Sequence, residues 1–413
     1  MAGKTRLRRR RPRLPLLTLL GPAFVAAVAY VDPGNVAANL SAGAVYGYRL
    51  VWVLCLANGM AVAIQYLSAK LGLVTGRSLP ELAGDRLPKW GRWAYWLQAE
   101  AMAMATDLAE VVGGAIALRL LFGLPLLLGG AVVGAASLLL LAVHSRGERR
   151  FEAVIVALLA VITVGFLAGL GRSDVDWAAA AAGLRPSFDG AGSVFLAASM
   201  LGATVMPHAI YLHSTVARNH LAEVSAAFPG RGRLRDLIGA NRWDVVLALF
   251  VAGSVNIAML ILAAANLAGQ GEVSLDGAYG ALRGSLGPAV AIIFAVGLLA
   301  SGLASTSVGA YAGVAVTEGL LRVKPPILAV RAVTLVPALA VLAAGVEPTQ
   351  ALVYSQALLS FGIPFALLPL LLLTGSRRVM GAYASPPWLA AVAWTAAAAI
   401  VALNVFLLVS LFT

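Results

Sequence analysis

Charge is scarce in this chain. Of its 413 residues only 12% are Asp, Glu, Lys or Arg, about half the share with which a soluble domain covers its surface. A soluble globular protein of this size is therefore excluded. Cysteine is scarcer still. A lone Cys55 inside an apolar run rules out an intrachain disulfide framework and any thiolate metal site built by one chain. The chain also lacks an H-E-x-x-H, a G-x-S-x-G and a glycine-rich phosphate loop closed by Lys, so nothing points to a hydrolase or nucleotide-using enzyme.

What fills the chain is apolar residues, 61% of the total, with a mean hydropathy of +0.89. That composition belongs to an all-α polytopic membrane protein. The net charge of +12 would signal nucleic acid on a soluble protein. Here the basic residues lie in short loops between apolar runs, as expected beside anionic lipid, so no nucleic-acid partner is expected. Abundant Ala and Gly suit close helix packing in lipid.

Apolar runs of spanning length recur at about 16–37, 50–75, 93–118, 122–143, 152–171, 192–217, 244–268, 287–315, 326–346, 349–373 and 388–411, about eleven in all. Residues 1–13 form a basic arm with Lys4, Arg6, Arg8, Arg9, Arg10, Arg11 and Arg13. With that arm inside, most of the 30 Lys and Arg fall on the inner side. The expectation is a multi-pass plasma or inner-membrane protein with its N-terminus cytoplasmic and its C-terminus outside. The arm and the run after it could also be read as a secretory signal ending at Ala27-Val28-Ala29. A first transmembrane helix accounts better for the ten runs that follow.

Two stretches repeat a pattern. The first run contains Ala29-Tyr30-Val31-Asp32-Pro33-Gly34-Asn35, and the sixth contains Ala203-Thr204-Val205-Met206-Pro207-His208. Each runs Ala-x-x-donor-Pro. Five spans separate them, so equivalent segments cross in opposite directions. Residues of about 16–171 and 192–373 then form two inverted five-helix repeats within one transporter domain, with about 388–411 an extra helix. Pro33, Gly34 and Pro207 mark breaks that make helices 1 and 6 discontinuous. Unwound backbone at membrane depth survives only where protein or a wet cavity satisfies it. Paired breaks of this kind point to a transport site, although proline kinks alone also occur.

Asp32 in lipid costs at least ~2.5 kcal/mol unless it meets a cation or a polar interior. Asn35 adds an amide oxygen, freed carbonyls near Ala29 and Ala203 add more, and Met206 adds a thioether. Calcium and magnesium prefer all-oxygen shells, whereas sulfur favours transition metals. One sulfur among oxygens fits Mn²⁺ or Fe²⁺. Methionine is also a common core filler, and the residues by themselves leave both readings of Met206 open.

The third run places Glu100, Asp107 and Glu110 along one helical face, spread over roughly 80°. Acids in a membrane helix are a proton or ion path by default, or else glue between helices, with Arg331 the obvious partner. His208 has an ordinary pKa suited to proton exchange and could instead ligate metal. His213 lies about 140° around the helix from it. His144 and His220, near span ends, read as interfacial.

DPGN in the first run, MPH in the sixth and the surrounding GATVMPHAIYLHS resemble the Nramp divalent-metal transporters over nearly the whole chain. The resemblance implies a LeuT-like fold and proton-coupled import of Mn²⁺ or Fe²⁺, with Co²⁺, Zn²⁺ and Cd²⁺ as further cargo. The metal is substrate, and neither a permanently bound cofactor nor an obligate protein partner is implied; the partners are the ion, protons and lipid. It also implies side-chain ligation by Asp32, Asn35 and Met206, backbone ligation by Ala29 and Ala203, and approach of Gln356 in an occluded state. Asp107, Glu110 and Arg331 match the family's proton pathway, with Glu100 and His213 its outer members. Val330 departs from the pattern, where a second basic residue is common. The rival reading is an amino-acid or organic-cation symporter of the same fold.

Overall fold

A computed structural model describes residues 22–144, 148–227, 234–269, 271 and 273–410. The basic arm and the start of the first expected span lie outside the described residues. Nearly everything described is helical. In chain order the helices are α1 (Pro22–Val28), α2 (Pro33–Tyr46), α3 (Val51–Thr75), α4 (Leu79–Gly84), α5 (Lys89–Phe122), α6 (Leu126–His144) and α7 (Glu148–Leu170). They continue as α8 (Trp177–Ala182), α9 (Gly190–Thr204), α10 (Pro207–Ala227), α11 (Leu234–Leu267), α12 (Leu275–Leu286), α13 (Pro288–Leu321), α14 (Ile327–Ala343), α15 (Pro348–Gly375), α16 (Arg377–Met380) and α17 (Pro387–Ser410).

Among the described residues, seven helical stretches are long and apolar enough to cross a membrane, and three shorter apolar helices accompany them. One stretch, Pro33–Thr75, is 43 residues long, twice what a crossing needs. It is two crossings: Gly47, at φ 57°, opens a short 3-10 turn that separates α2 from α3. Each expected run thus falls on a helix, the first and sixth on pairs of helices that meet at a break. α11 begins ten residues before the apolar run predicts. Its first turns carry Arg235, Asp236, Asn241 and Arg242, and a hydropathy reading stops where such residues begin.

The packing has the symmetry of two inverted halves. The first element packs on the seventh (α2 on α11), and the second packs on the sixth (α3 on α10). Likewise the third packs on the tenth (α5 on α15), and the fifth on the eighth (α7 on α13). Exchanging elements 1–5 with 6–10 turns each pair into the other. α5 and α13, which exchange with one another, pack along each other at the centre. The fold is LeuT-like, with α17 added against α9 and α15.

Both breaks occur where the sequence places them. α1 runs into a 3-10 turn at Ala29–Val31, and Asp32 then stands extended at φ −74°, ψ 165° before Pro33 opens α2. α9 ends at Thr204, Val205 leaves the helical region, and Pro207 opens α10. Asp244 of α11 pins α1 by accepting from the Ala23 N–H at 2.9 Å.

Candidate functional site

The first break is organised by one carboxylate. Asp32 is the N-cap of α2, and its Oδ1 accepts from the Asn35 N–H at 2.8 Å. Pro33 has no N–H to offer at the first helical position, and an anion suits the positive end of the helix. The Asn35 side chain faces back into the same space. Its Nδ2 donates to Asp32 Oδ1 at 2.6 Å and to the carbonyl of Ala203 at 2.8 Å. That second bond ties the first break to the end of α9, 168 residues away. Gln356 of α15 closes a third side: its Nε2 lies 3.4 Å from Asp32 Oδ2. A methyl placed on Gly34 would come 1.8 Å from that nitrogen, so the glycine is what admits Gln356 to the break. Met206 and Ala29 are both fully buried, one at each break.

Two acceptors in this group lack partners. Asn35 Oδ1 and Gln356 Oε1 are buried with no hydrogen-bond donor among the described residues. An unsatisfied buried acceptor costs about 1–3 kcal/mol, so two beside a buried carboxylate describe a position fit for a cation. An amide's oxygen and nitrogen exchange places by a half-turn. Asn35 Nδ2 now stands between the oxygens of Asp32 and Ala203. With Oδ1 there instead, three oxygens would converge on one point, an arrangement that requires a positive charge. Among the described residues no group of three or more His, Cys, Asp or Glu gathers around a common point. The centre therefore has one formal charge and otherwise neutral oxygens, which suits a passing ion better than a resident one.

The carbonyls just after Ala29 are taken by neighbours the sequence reading missed. Asn256 Nδ2 of α11 donates to the Tyr30 carbonyl at 2.8 Å, and Ser301 Oγ of α13 donates to the carbonyl of Val31. The Tyr30 hydroxyl accepts from Gln65 Nε2 at 2.5 Å, and Gln65 Oε1 shares a 2.8 Å hydrogen bond with His213 Nδ1. His213 is thus wired to the first break through Gln65 and Tyr30. The available signal was faint: Gln65 and Asn256 are single amides in otherwise apolar runs.

The three acids of α5 are all buried. Asp107 Oδ2 meets Arg331 Nη1 of α14 at 2.6 Å, and Arg331 Nε donates to Ser137 Oγ of α6 at 3.1 Å. A Cβ at Gly309 of α13 would lie 3.5 Å from both Glu110 oxygens and 3.6 Å from Asp107 Oδ1. Asp107, Glu110 and Arg331 are therefore one cluster. Glu100 is two turns nearer the start of α5. His208 joins this cluster to the second break, since its Nδ1 and Thr106 Oγ1 are 3.3 Å apart. Its Nε2 has no hydrogen-bond partner among the described residues. His220 is half-buried, and nothing is described of the His144 side chain.

Comparison with known proteins follows the same outline. The family described as natural resistance-associated macrophage protein-like (Nramp) matches residues 23–410. A "divalent metal cation transporter MntH" of Mycobacterium tuberculosis is 56% identical over 392 residues, 94% of this chain and 91% of the relative. The Bacillus subtilis protein of that name is 43% identical over 400 residues, 96% and 93% of the two chains. Among solved structures, a manganese transporter of Eremococcus coleocola superposes with a TM-score of 0.83 at 28% identity, covering 95% of this chain and 88% of that one. MhsT, solved with L-phenylalanine, superposes with a TM-score of 0.63 at 15% identity, covering 96% and 99%. That likeness speaks to the fold alone.

Proposed function

This chain belongs to the Nramp family, and we propose that it carries divalent transition-metal ions across a membrane, by alternating access around the junction of its two broken helices. It is a transporter and not an enzyme. The cargo we assign is Mn²⁺ or Fe²⁺, with Co²⁺, Zn²⁺ and Cd²⁺ within reach of the same donors. The observation that carries the reading is the convergence of Asp32, Asn35, Gln356 and the Ala203 carbonyl, with two amide oxygens left unpaired. Met206 completes the donor set with a soft atom that disfavours Ca²⁺ and Mg²⁺. The Ala29 carbonyl takes part as the first break changes state. The setting we assign is the inner membrane, with the N-terminus cytoplasmic and the C-terminus outside.

Proton coupling is the second part of the proposal. The ion brings two charges to a centre with one carboxylate, which disfavours protons on nearby groups. His208 and Thr106 connect that centre to Asp107, Glu110 and Arg331, a route by which a proton can leave, with Glu100 and His213 at its outer ends. Val330, where the family often has a second cation, makes leak a property to measure.

Amino-acid symport fits the residues less well. Asp32 would repel a substrate carboxylate, and Met206 and His208 would have no task. The deciding experiment is uptake into liposomes with a metal-sensing dye and a pH dye inside. Mn²⁺ uptake with acidification, lost in Asp32→Ala, is expected. Mn²⁺ flux without proton movement refutes the coupling. Titration calorimetry that detects amino-acid binding and no Mn²⁺ binding refutes the cargo.

A further inference from the structure

The seam between α3 and α11 holds two cations that the transport machinery does not use. Tyr66 and Lys70 lie one turn apart on α3, with Lys70 Nζ 5.7 Å from the centroid of the Tyr66 ring. Lys70 is buried along most of its length. α11 runs antiparallel beside it. A Cβ at Gly253 would come 1.9 Å from Asn58 Nδ2, and Ala69 and Leu73 share a buried cluster with Leu237 and Ala240. These two anchor points fix the register, so Asn241 and Arg242 stand level with Lys70. Arg242 is exposed.

Among the described residues, neither cation meets an acidic partner. Seven other Lys and Arg side chains meet a carboxylate. Among the described residues no ion pair reaches Lys70 or Arg242. Beside them the Asn241 side chain is 6% exposed, and its Nδ2 has no hydrogen-bond partner among the described residues. The aromatic face of Tyr66 offsets part of the cost of an enclosed ammonium. What the group lacks is an anion.

The adjoining surface says what kind of anion. From this level α11 turns Trp243, Leu247 and Phe250 outward, at 58%, 44% and 68% exposure. Their spacing of four and three residues keeps them on one helix face. On α3, Leu56 is 50% exposed, and a Cβ at Gly59 would meet nothing within 4 Å. A shallow apolar furrow therefore leads away from the two cations toward the middle of the membrane.

We propose that this seam binds an anionic phospholipid, its phosphate held between Lys70 and Arg242 and one acyl chain lying along Trp243, Leu247 and Phe250. The Tyr66 hydroxyl and the Asn241 amide donate to the remaining phosphate oxygens. The charge selects the headgroup. A zwitterionic lipid brings its own ammonium, which the two cations repel, whereas a phosphatidylglycerol brings one uncompensated negative charge. Basic residues at such positions attract anionic lipid.

The test is native mass spectrometry of the full chain in detergent, with phosphatidylglycerol and phosphatidylcholine of matched acyl chains competing. Wild type is expected to retain phosphatidylglycerol preferentially. Each cation lost weakens retention about fivefold, and Lys70→Gln with Arg242→Gln together weaken it roughly thirtyfold. Lys70→Arg, which keeps the charge, is expected to keep the preference. Equal retention of the two lipids by wild type overturns the proposal without any variant having to fold. So does an undiminished preference in the double variant. Displacement of phosphatidylglycerol by millimolar inorganic phosphate overturns it in favour of a free-anion site, because the furrow would then contribute nothing.

Discussion

The ion pair between Arg331 and Asp107 gives the sharpest test of how the acidic cluster is held together. Both side chains are buried, the guanidinium completely, and their charged atoms are 2.6 Å apart. Arg331 also donates from Nε to Ser137 Oγ, and Glu110 stands beside Asp107 across Gly309. Replacing Arg331 by Met leaves two buried carboxyls beside Gly309 with no cation between them. Breaking one partner of such a pair costs about 3–5 kcal/mol, because the remaining charge stays desolvated. Asp107→Asn is milder, since the amide oxygen still accepts from the guanidinium; about 2–3 kcal/mol is expected. In the double variant neither charge is left stranded by the other. Its loss should be about 2–3 kcal/mol in place of the 5–8 that addition of the singles gives, a coupling of roughly 3 kcal/mol or more. The assay is reversible unfolding in mixed micelles, followed by the fluorescence of the eight tryptophans. Additive losses within about 0.5 kcal/mol would show that the two groups do not depend on one another, and the account of one cluster would be wrong.

Three further perturbations separate the parts of the molecule. Met206→Ala removes the soft donor we propose and should preserve Mn²⁺ uptake while letting Ca²⁺ or Mg²⁺ compete; a competition flux assay with unchanged selectivity would end that argument. Gly202→Ala puts a methyl 2.0 Å from the Gln356 carbonyl oxygen, a backbone atom that cannot rotate away, so α9 and α15 must part. A loss of about 1–3 kcal/mol and weaker Mn²⁺ binding by calorimetry should appear together, because Gln356 moves away from Asp32. In the loop before α5, the hydrogen bond from Arg77, helped by Arg322, holds the Asp85 carboxyl below its ordinary range. A depressed folded value stabilises above the unfolded value of about 3.9 and is lost as pH falls through the folded one. Melting between pH 6 and 3 should show a small acid-dependent loss that Asp85→Asn removes.

The breaks were legible because proline and a buried acid inside an apolar run contradict the run itself. The spans were legible because hydropathy at this length has one explanation. The polar networks around the breaks and the acidic cluster were not. Gln65, Asn256, Ser301, Thr106 and Ser137 are single polar groups in apolar helices, and a sequence does not say which face they occupy or whom they meet. α11 and α13 must both pack on the first break before Asn256 can be seen to take the Tyr30 carbonyl and Ser301 that of Val31. Gln356 was reachable through family resemblance and not through its own surroundings, since a lone amide in a tenth span has no visible partner 324 residues away. The early start of α11 was missed for the opposite reason: its charged turns are helical but not apolar.

On the proposed function, the two polar clusters act as one charge-balancing device and not as a site with a separate exit. At the breaks, one carboxylate faces a cation position surrounded by neutral donors. On α5, two carboxyls face one guanidinium. A dication at the first leaves one positive charge in excess, while the second, fully ionised, has one negative charge in excess. Charges buried in a low-dielectric interior act on each other over distances that water would screen. Arrival of the ion and departure of a proton from the acids change the same local sum in opposite directions. The Thr106–His208 contact, between a neighbour of Asp107 and a residue two beyond Met206, links the two clusters. On the proposed reading, coupling needs no large relay of motion, because the geometry already makes each charge the other's counterweight.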